Sequence, residues 1–173
     1  MRLTTERLII RDMQESDIDS FYPLCNADFV TKYLLMYKMT RDEALDYIRQ
    51  MMEKKRDFTV ALRDGDRFIG KIHLDNDSLR FDVNSVELAY WVGEPYARRG
   101  YMTEALHALL NWLFAEKAYD VVSARVLAPN TASQKLLETL GFTREGCIRK
   151  ALNDNGTIYD DVHYSMLKEE FEN

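Results

Sequence analysis

Two hydrophobic rhythms alternate along this chain. In short stretches apolar residues recur at every second position or run together. In longer ones they recur every third or fourth, the period of a helix with one buried face. Arg7 to Met13 alternates around an aliphatic centre and predicts a first strand. Ser16-Asp17 offers an N-cap for a short helix through Phe21 and Leu24. Thr40 with Glu43 forms a capping-box pair, and Ala44, Tyr47, Ile48, Met51 and Met52 follow at helical spacing, so a helix should run to about Lys55. Phe58 to Leu62 and Arg67 to Leu74 flank Asp64-Gly65, a hairpin turn signal. Val86 to Val92 is a further strand, stopped by Gly93-Glu94-Pro95. Met102, Ala105, Leu106, Leu109, Leu110 and Leu113 make one face of a helix reaching Lys117. Val121 to Leu127 reads as a strand and Ala132 to Leu140 as a helix closed by Gly141. Phe142 to Ile148 and Ile158 to Leu167 read as two last strands, joined through Asn155-Gly156. The predicted fold class is mixed α/β (α+β), with helices packed on a largely antiparallel sheet.

Composition narrows this picture. The chain has 173 residues, 46% of them hydrophobic, which supports a sizeable core. No repeat, low-complexity stretch or Pro/Gly-rich linker divides it, so residues 1–173 are expected to form a single domain. The formal net charge of −6 argues against a nucleic-acid partner, which would call for a basic face. An acidic chain is compatible with a cationic substrate such as an amine. The apolar run Leu8-Ile9-Ile10 is too short for a signal peptide, and nothing approaches a membrane span; a cytoplasmic protein without a membrane partner is expected. Cys25 and Cys147 read as buried, reduced thiols, and no metal site is expected.

The chemistry concentrates in one stretch. Glu87 to Val92 leads into Gly93-Glu94-Pro95-Tyr96-Ala97-Arg98-Arg99-Gly100-Tyr101-Met102-Thr103, a strand, a turn and the start of a long helix. A helix N-terminus presents unpaired N–H groups and a partial positive charge. Gly100 lets the backbone approach a ligand closely, and Arg98 and Arg99 add charge, so the turn suits a phosphate or pyrophosphate. A plain surface loop reads equally well from this stretch alone. It is neither a P-loop, because no Gly-Lys-Ser/Thr follows, nor a dinucleotide-binding turn, because Gly-x-Gly-x-x-Gly is missing.

A second element, Pro129-Asn130-Thr131-Ala132-Ser133 with Leu137 to Phe142, shifts the balance. With it the chain resembles the GNAT superfamily of N-acetyltransferases, and within it the ribosomal-protein alanine N-acetyltransferase branch (RimJ/RimL type). The resemblance covers nearly the whole chain: Leu3-x-Thr5-Glu6-Arg7-Leu8-x-x-Arg11, Asp17 and Gly70; then Glu87-x-x-Tyr90-Trp91-Val92-Gly93 and Pro95-Tyr96-x-x-Arg99-Gly100-Tyr101-x-Thr103-Glu104-Ala105. It ends with Asn130-x-x-Ser133, Leu140-Gly141-Phe142 and Glu145-Gly146. It implies a splayed strand pair, Val86–Val92 and Val121–Leu127, holding acetyl-coenzyme A. The pantetheine arm would pair with the edge at Trp91 and Val92, and the pyrophosphate would take N–H groups from Arg98, Arg99, Gly100, Tyr101, Met102 and Thr103. Asn130 would approach the pantetheine arm, cap its own helix, or both. Two positions depart from the superfamily pattern: Ala97, often Gln or Arg, and Met102, often Gly or Ala.

The resemblance also implies an amine acceptor and a proton for the departing thiolate. Many relatives take that proton from a tyrosine where this chain has Leu137; Ser133 matches the position that the alanine-acetylating branch uses instead. Glu87 is the candidate base, with a structural hydrogen bond as its other reading, and His73 and Tyr90 are weaker alternatives. At pH 7 an α-amine near pKa 7.8 gives up roughly 1 kcal/mol to become neutral, and a lysine near 10.4 roughly 4.6 kcal/mol. A site without a strong base therefore suits a protein or peptide α-amine. A small-molecule amine (polyamine, amino acid or antibiotic) remains an alternative acceptor, and a non-catalytic acyl-coenzyme A sensor an alternative function. The acceptor pocket should draw on residues before Gly70, including the stretch Tyr33 to Met39, and the chain is expected to be a monomer or homodimer.

Overall fold

A computed structural model of the chain describes residues 1–34 and 37–171. The residues fall into two compact units: Met1–Leu74 with Tyr90–Leu109, and Asp75–Ala89 with Leu110–Asn173. The elements, in chain order, are β1 (Arg2–Thr4), β2 (Leu8–Asp12), α1 (Ile18–Cys25), α2 (Asp28–Leu34), α3 (Arg41–Lys54), β3 (Asp57–Leu62), β4 (Arg67–Asp75) and β5 (Ser85–Val92). They continue with α4 (Tyr101–Ala115), β6 (Val121–Leu127), α5 (Thr131–Thr139), β7 (Thr143–Asp154), β8 (Thr157–Leu167) and α6 (Lys168–Phe171). Hydrogen bonding joins the strands in the order β1-β2-β3-β4-β5-β6-β8-β7. The pairs β1–β2, β2–β3, β6–β8 and β7–β8 are antiparallel, whereas β5 pairs with β6 in parallel. No helix among the described residues is long and apolar enough to cross a membrane.

In the first unit, α1, α2 and α3 enclose a core built from Ile18, Phe21, Cys25, Val30, Ala44, Ile48, Met51, Phe68 and Trp91. The Trp91 ring packs 5.9 Å from that of Phe21 and 5.6 Å from that of Phe68, centroid to centroid. Thr40 caps α3 as its capping box requires: Thr40 Oγ1 accepts from Glu43 N–H, and Thr40 N–H donates to Glu43 Oε2 at 2.7 Å. Asp17 departs from expectation. Its side chain makes no cap bond to α1; it takes the Arg11 guanidinium through both oxygens, at 2.7 and 2.9 Å, and the Thr59 hydroxyl at 2.8 Å. Arg11 and Asp17 are both buried, so a fully hydrogen-bonded pairing is what makes the site tolerable there.

In the second unit the alternation along β6 and β8 sorts side chains onto two faces. Val122, Ala124, Val126, Val162, Tyr164 and Met166 are buried, and the Tyr164 hydroxyl reaches Glu138 of α5 at 3.1 Å, so this face carries α5. Ser123, Arg125, Asp161, His163 and Ser165 occupy the opposite face. Gly141 closes α5 with φ +93°, and Asn155 and Gly156, at φ +47° and +88°, form the turn between β7 and β8. β7 ends the strand order. Its pairing with β8 shifts register between Arg144 and Gly146 and again between Ile148 and Leu152, with Lys150 at φ +53° inside the second shift. Cys147, expected to be buried, is exposed, because it stands on this end strand; Cys25 is buried, and burial pushes its thiol up to about 11. Both cysteines are free thiols.

Candidate active site

The turn that opens α4 belongs to the first unit and is held from below by Arg7. The Arg7 guanidinium donates to Glu104 Oε2 at 2.6 Å through Nε and to the Arg99 carbonyl at 3.0 Å, and it stacks 4.6 Å from the centre of the Tyr101 ring. Glu104 also accepts from the Arg7 N–H at 2.9 Å and the Thr5 hydroxyl at 2.5 Å. Partial burial alone would raise the Glu104 carboxyl; the Thr5 and Arg7 donors outweigh it and hold it below the usual range. The acid therefore stays ionised in the first turn of α4, where a negative charge suits the helix dipole.

Above this clamp the backbone is strained and open. Arg98 and Gly100 both lie in the left-handed region, at φ +59° and +75°. For Arg98 that conformation costs about 1 kcal/mol. The first helical N–H returned to the protein is that of Glu104, to the Gly100 carbonyl at 3.0 Å, so those of Tyr101, Met102 and Thr103 have no acceptor within the helix. Arg98, Arg99 and Gly100 are exposed. These residues fit an anionic group: main-chain donors at the start of a 15-residue helix, a glycine at φ +75° that side chains rarely adopt, and two exposed guanidinium groups. Met102 does not obstruct them. Its side chain is buried with Ala105 and Leu106 on the opposite side of the helix from solvent, leaving only its N–H at the turn.

β5 gives the turn its starting point. Gly93 N–H donates to the Ile69 carbonyl of β4 at 2.8 Å, and a Cβ on Gly70 would collide with the Trp91 carbonyl oxygen. Only glycine allows that approach, which accounts for Gly70. It also means that Trp91 and Gly93 turn their main-chain polar groups toward β4, and Val92, between them, turns its own to the other edge. A strand-like partner of β5 would use Val92, while the Trp91 side chain belongs to the core.

Asn130, Ser133, Leu137 and Glu87 lie in the second unit. Asn130 caps α5, its Oδ1 accepting from Ser133 N–H at 3.2 Å, so its NH2 group is the part available to another partner. Ser133 sits half-buried in the first turn of α5. Leu137 is fully buried, a core residue where a proton donor could not act. Glu87 is half-buried and binds Arg125 of β6 through Oε1 at 2.9 Å. Desolvation raises its carboxyl above the usual range, against the lowering effect of Arg125 and with smaller raising effects from Asp77 and Asp161. His73, the weaker alternative, is engaged in the first unit. Its Nδ1 lies 3.0 Å from Asp57, which also takes the buried Lys71 ammonium at 2.6 Å. Within the stretch Tyr33 to Met39, Leu35 and Met36 lie outside the described residues, while Met39 is tied through its N–H and carbonyl to the Asn26 side chain, both at 2.8 Å.

Sequence reasoning gave no role to Arg7, Arg125, Asp161 or His163. The signal for the last three was present: Ser123 and Arg125 alternate with apolar residues in Val121–Leu127, as Asp161, His163 and Ser165 do toward the end of Thr157–Leu167.

Residues 7–143 match the model of the acetyltransferase (GNAT) domain. The chain is 29% identical over 173 residues to the uncharacterized N-acetyltransferase YnaD of Bacillus subtilis (strain 168), covering 99% of each. It is 27% identical over 177 residues to the [ribosomal protein uS5]-alanine N-acetyltransferase of Escherichia coli (strain K12), covering 94% of this chain and 88% of that enzyme. The fold matches the crystal structure of a GNAT-family acetyltransferase from Bacillus anthracis with a TM-score of 0.89 at 25% identity, covering 98% of this chain and 99% of that one.

Proposed function

The chain belongs to the GNAT acetyltransferase family, and from that premise we propose that it transfers the acetyl group of acetyl-coenzyme A to the α-amine of a protein or peptide N-terminus. Bound acetyl-coenzyme A supplies the thioester and its thiol leaving group. The turn from Arg98 to Thr103 takes the pyrophosphate through the N–H groups of Tyr101, Met102 and Thr103, with Arg98 and Arg99 adding charge. Val92 offers its main-chain edge to the pantetheine amides beside Trp91, and Asn130 offers its NH2 group. Ser133 Oγ holds the proton destined for the thiolate. Glu87 accepts the proton that the amine loses, directly or through water.

Glu87 is the observation that carries the choice of acceptor. Its carboxylate is only partly desolvated and is bound to Arg125. That makes a modest base, adequate for an amine that is partly neutral near pH 7 and poorly matched to a lysine, which needs roughly 4.6 kcal/mol to lose its proton at that pH. The similarity to the uS5-alanine N-acetyltransferase along nearly the full chain supports the same choice.

The test is thiol release from acetyl-coenzyme A with a panel of acceptors: peptides with a free N-terminus, the same peptides Nα-blocked but carrying lysine, polyamines and aminoglycosides. Release should be at least about tenfold faster with free α-amines. Faster release with a polyamine or aminoglycoside would overturn the acceptor. Tight cofactor binding without release for any acceptor would overturn catalysis and favour a sensor.

A further inference from the structure

The charged face of the second unit extends the proposed role of Glu87, on which this inference rests. The strand register collects its members. Glu87 stands beside Ser123 in the β5–β6 pairing. Arg125, two residues further along β6, shares the face of Ser123 and stands opposite His163 of β8. Asp161, two residues before His163, completes the row.

The contacts within this row are ordered. Arg125 Nε donates to Glu87 Oε1 at 2.9 Å, and Nη2 lies 2.9 Å from that same oxygen. The guanidinium thus engages one carboxylate oxygen and leaves Oε2 outside its fork. On its other side, Arg125 Nη1 lies 3.9 Å from Asp161 Oδ2, and His163 Nε2 lies 3.7 Å from that same oxygen. His163 is buried, and its Nε2 has no hydrogen-bond partner among the described residues. Asp77, from the segment before β5, also acts on Glu87 by its charge, and carries its own cation, Arg80, at 2.7 Å; Arg80 in turn binds Glu145 of β7.

We infer that Arg125 and Asp161 are positioning residues for Glu87: the guanidinium fixes Oε1, Asp161 keeps the guanidinium in place, and Oε2 is presented for proton transfer. A carboxylate free to rotate would offer either oxygen in many orientations. One held at Oε1 by the guanidinium offers a far narrower range. The same pair sets the charge balance on Glu87 in opposite senses. Arg125 favours the ionised form and Asp161 opposes it. Removing Arg125 therefore makes Glu87 easier to protonate, and removing the charge of Asp161 makes it harder.

The experiment uses the full-length chain and the variants Arg125→Gln, Arg125→Lys and Asp161→Asn, each first shown to be folded by its melting curve. A 13C NMR titration follows the Glu87 side-chain carboxyl, identified as the signal lost in Glu87→Gln. The midpoint should move up in Arg125→Gln, move down in Asp161→Asn, and stay close to the parent in Arg125→Lys, which keeps the charge. Turnover relative to the parent, with one peptide acceptor so that the acceptor's own ionisation cancels, should be lower at pH 6 than at pH 8 for Arg125→Gln. Asp161→Asn should show the reverse. Arg125→Lys should still lose kcat at both pH values, because an ammonium on a flexible stem does not hold Oε1 as the planar guanidinium does. Midpoints that do not move, or that move in the same direction in the two charge-removing variants, would overturn the inference. Failure of the base assignment itself reads out separately, as full thiol release by Glu87→Gln.

Discussion

In the turn from Arg98 to Thr103, the groups proposed to hold the cofactor are mainly main-chain N–H groups, aimed by two left-handed residues and clamped by Arg7 and Glu104. Around Glu87 the groups are side chains, aimed by strand register and by one another. The two regions teach different rules for what sequence change they tolerate. A main-chain site keeps its donors whatever side chain is attached, provided that φ and the available space are kept. A side-chain site loses its chemistry with one atom, however well the backbone is preserved.

That contrast can be broken at three points. The largest effect is expected at Ser133, on the side-chain side. Ser133→Ala should lower kcat about 100-fold. The Michaelis constant for acetyl-coenzyme A should change by less than about twofold, because the Asn130–Ser133 cap uses the backbone N–H and survives. Steady-state kinetics under saturating peptide reads both constants; unchanged turnover would remove Ser133 from the chemistry. Next is Gly100→Val, which places a β-branched residue at φ +75° with its Cβ about 3.4 Å from Arg7 Nη2. The affinity for acetyl-coenzyme A, measured by calorimetry, should drop about tenfold while kcat at saturation is largely kept. An affinity within twofold of the parent would show that the turn does not hold the cofactor. The smallest effect is at Arg98. Arg98→Gly removes a charge but relieves the left-handed strain, so the melting temperature should rise by about 3 °C while cofactor affinity falls only about twofold. A large loss of affinity would mean that the Arg98 side chain, rather than the main chain, carries the contact.

Legibility in the sequence followed the range of the interaction. The α3 capping box, the Asp64-Gly65 hairpin and the Asn155-Gly156 turn were readable because their causes lie within four residues of one another. β6 matched its predicted bounds, and α4 began at Tyr101, one residue early. β1 was missed because three residues, Arg2–Thr4, cannot display an alternation. α2 was missed because it is only seven residues long, too short for the spacing of Phe29, Val30, Tyr33 and Leu34 to tell a helix from another apolar run. Nearly the same distinction holds for the site. The turn was readable as a local pattern of strand, glycine and helix. Its clamp was not, because Arg7 and Glu104 are joined only by the fold. Arg125 and Asp161 became neighbours of Glu87 through pairing register, which no single strand records.

The shape of β7 bears on how these molecules meet one another. As the last strand in the order, it exposes a row of main-chain donors and acceptors that another chain could pair with. Its two register shifts break the row into short runs, and Arg149 and Lys150 stand where the second shift falls. A neighbouring strand laid along it would lose its match within a few residues and bring two cations into the seam. The edge is thereby made a poor template for continuous strand addition.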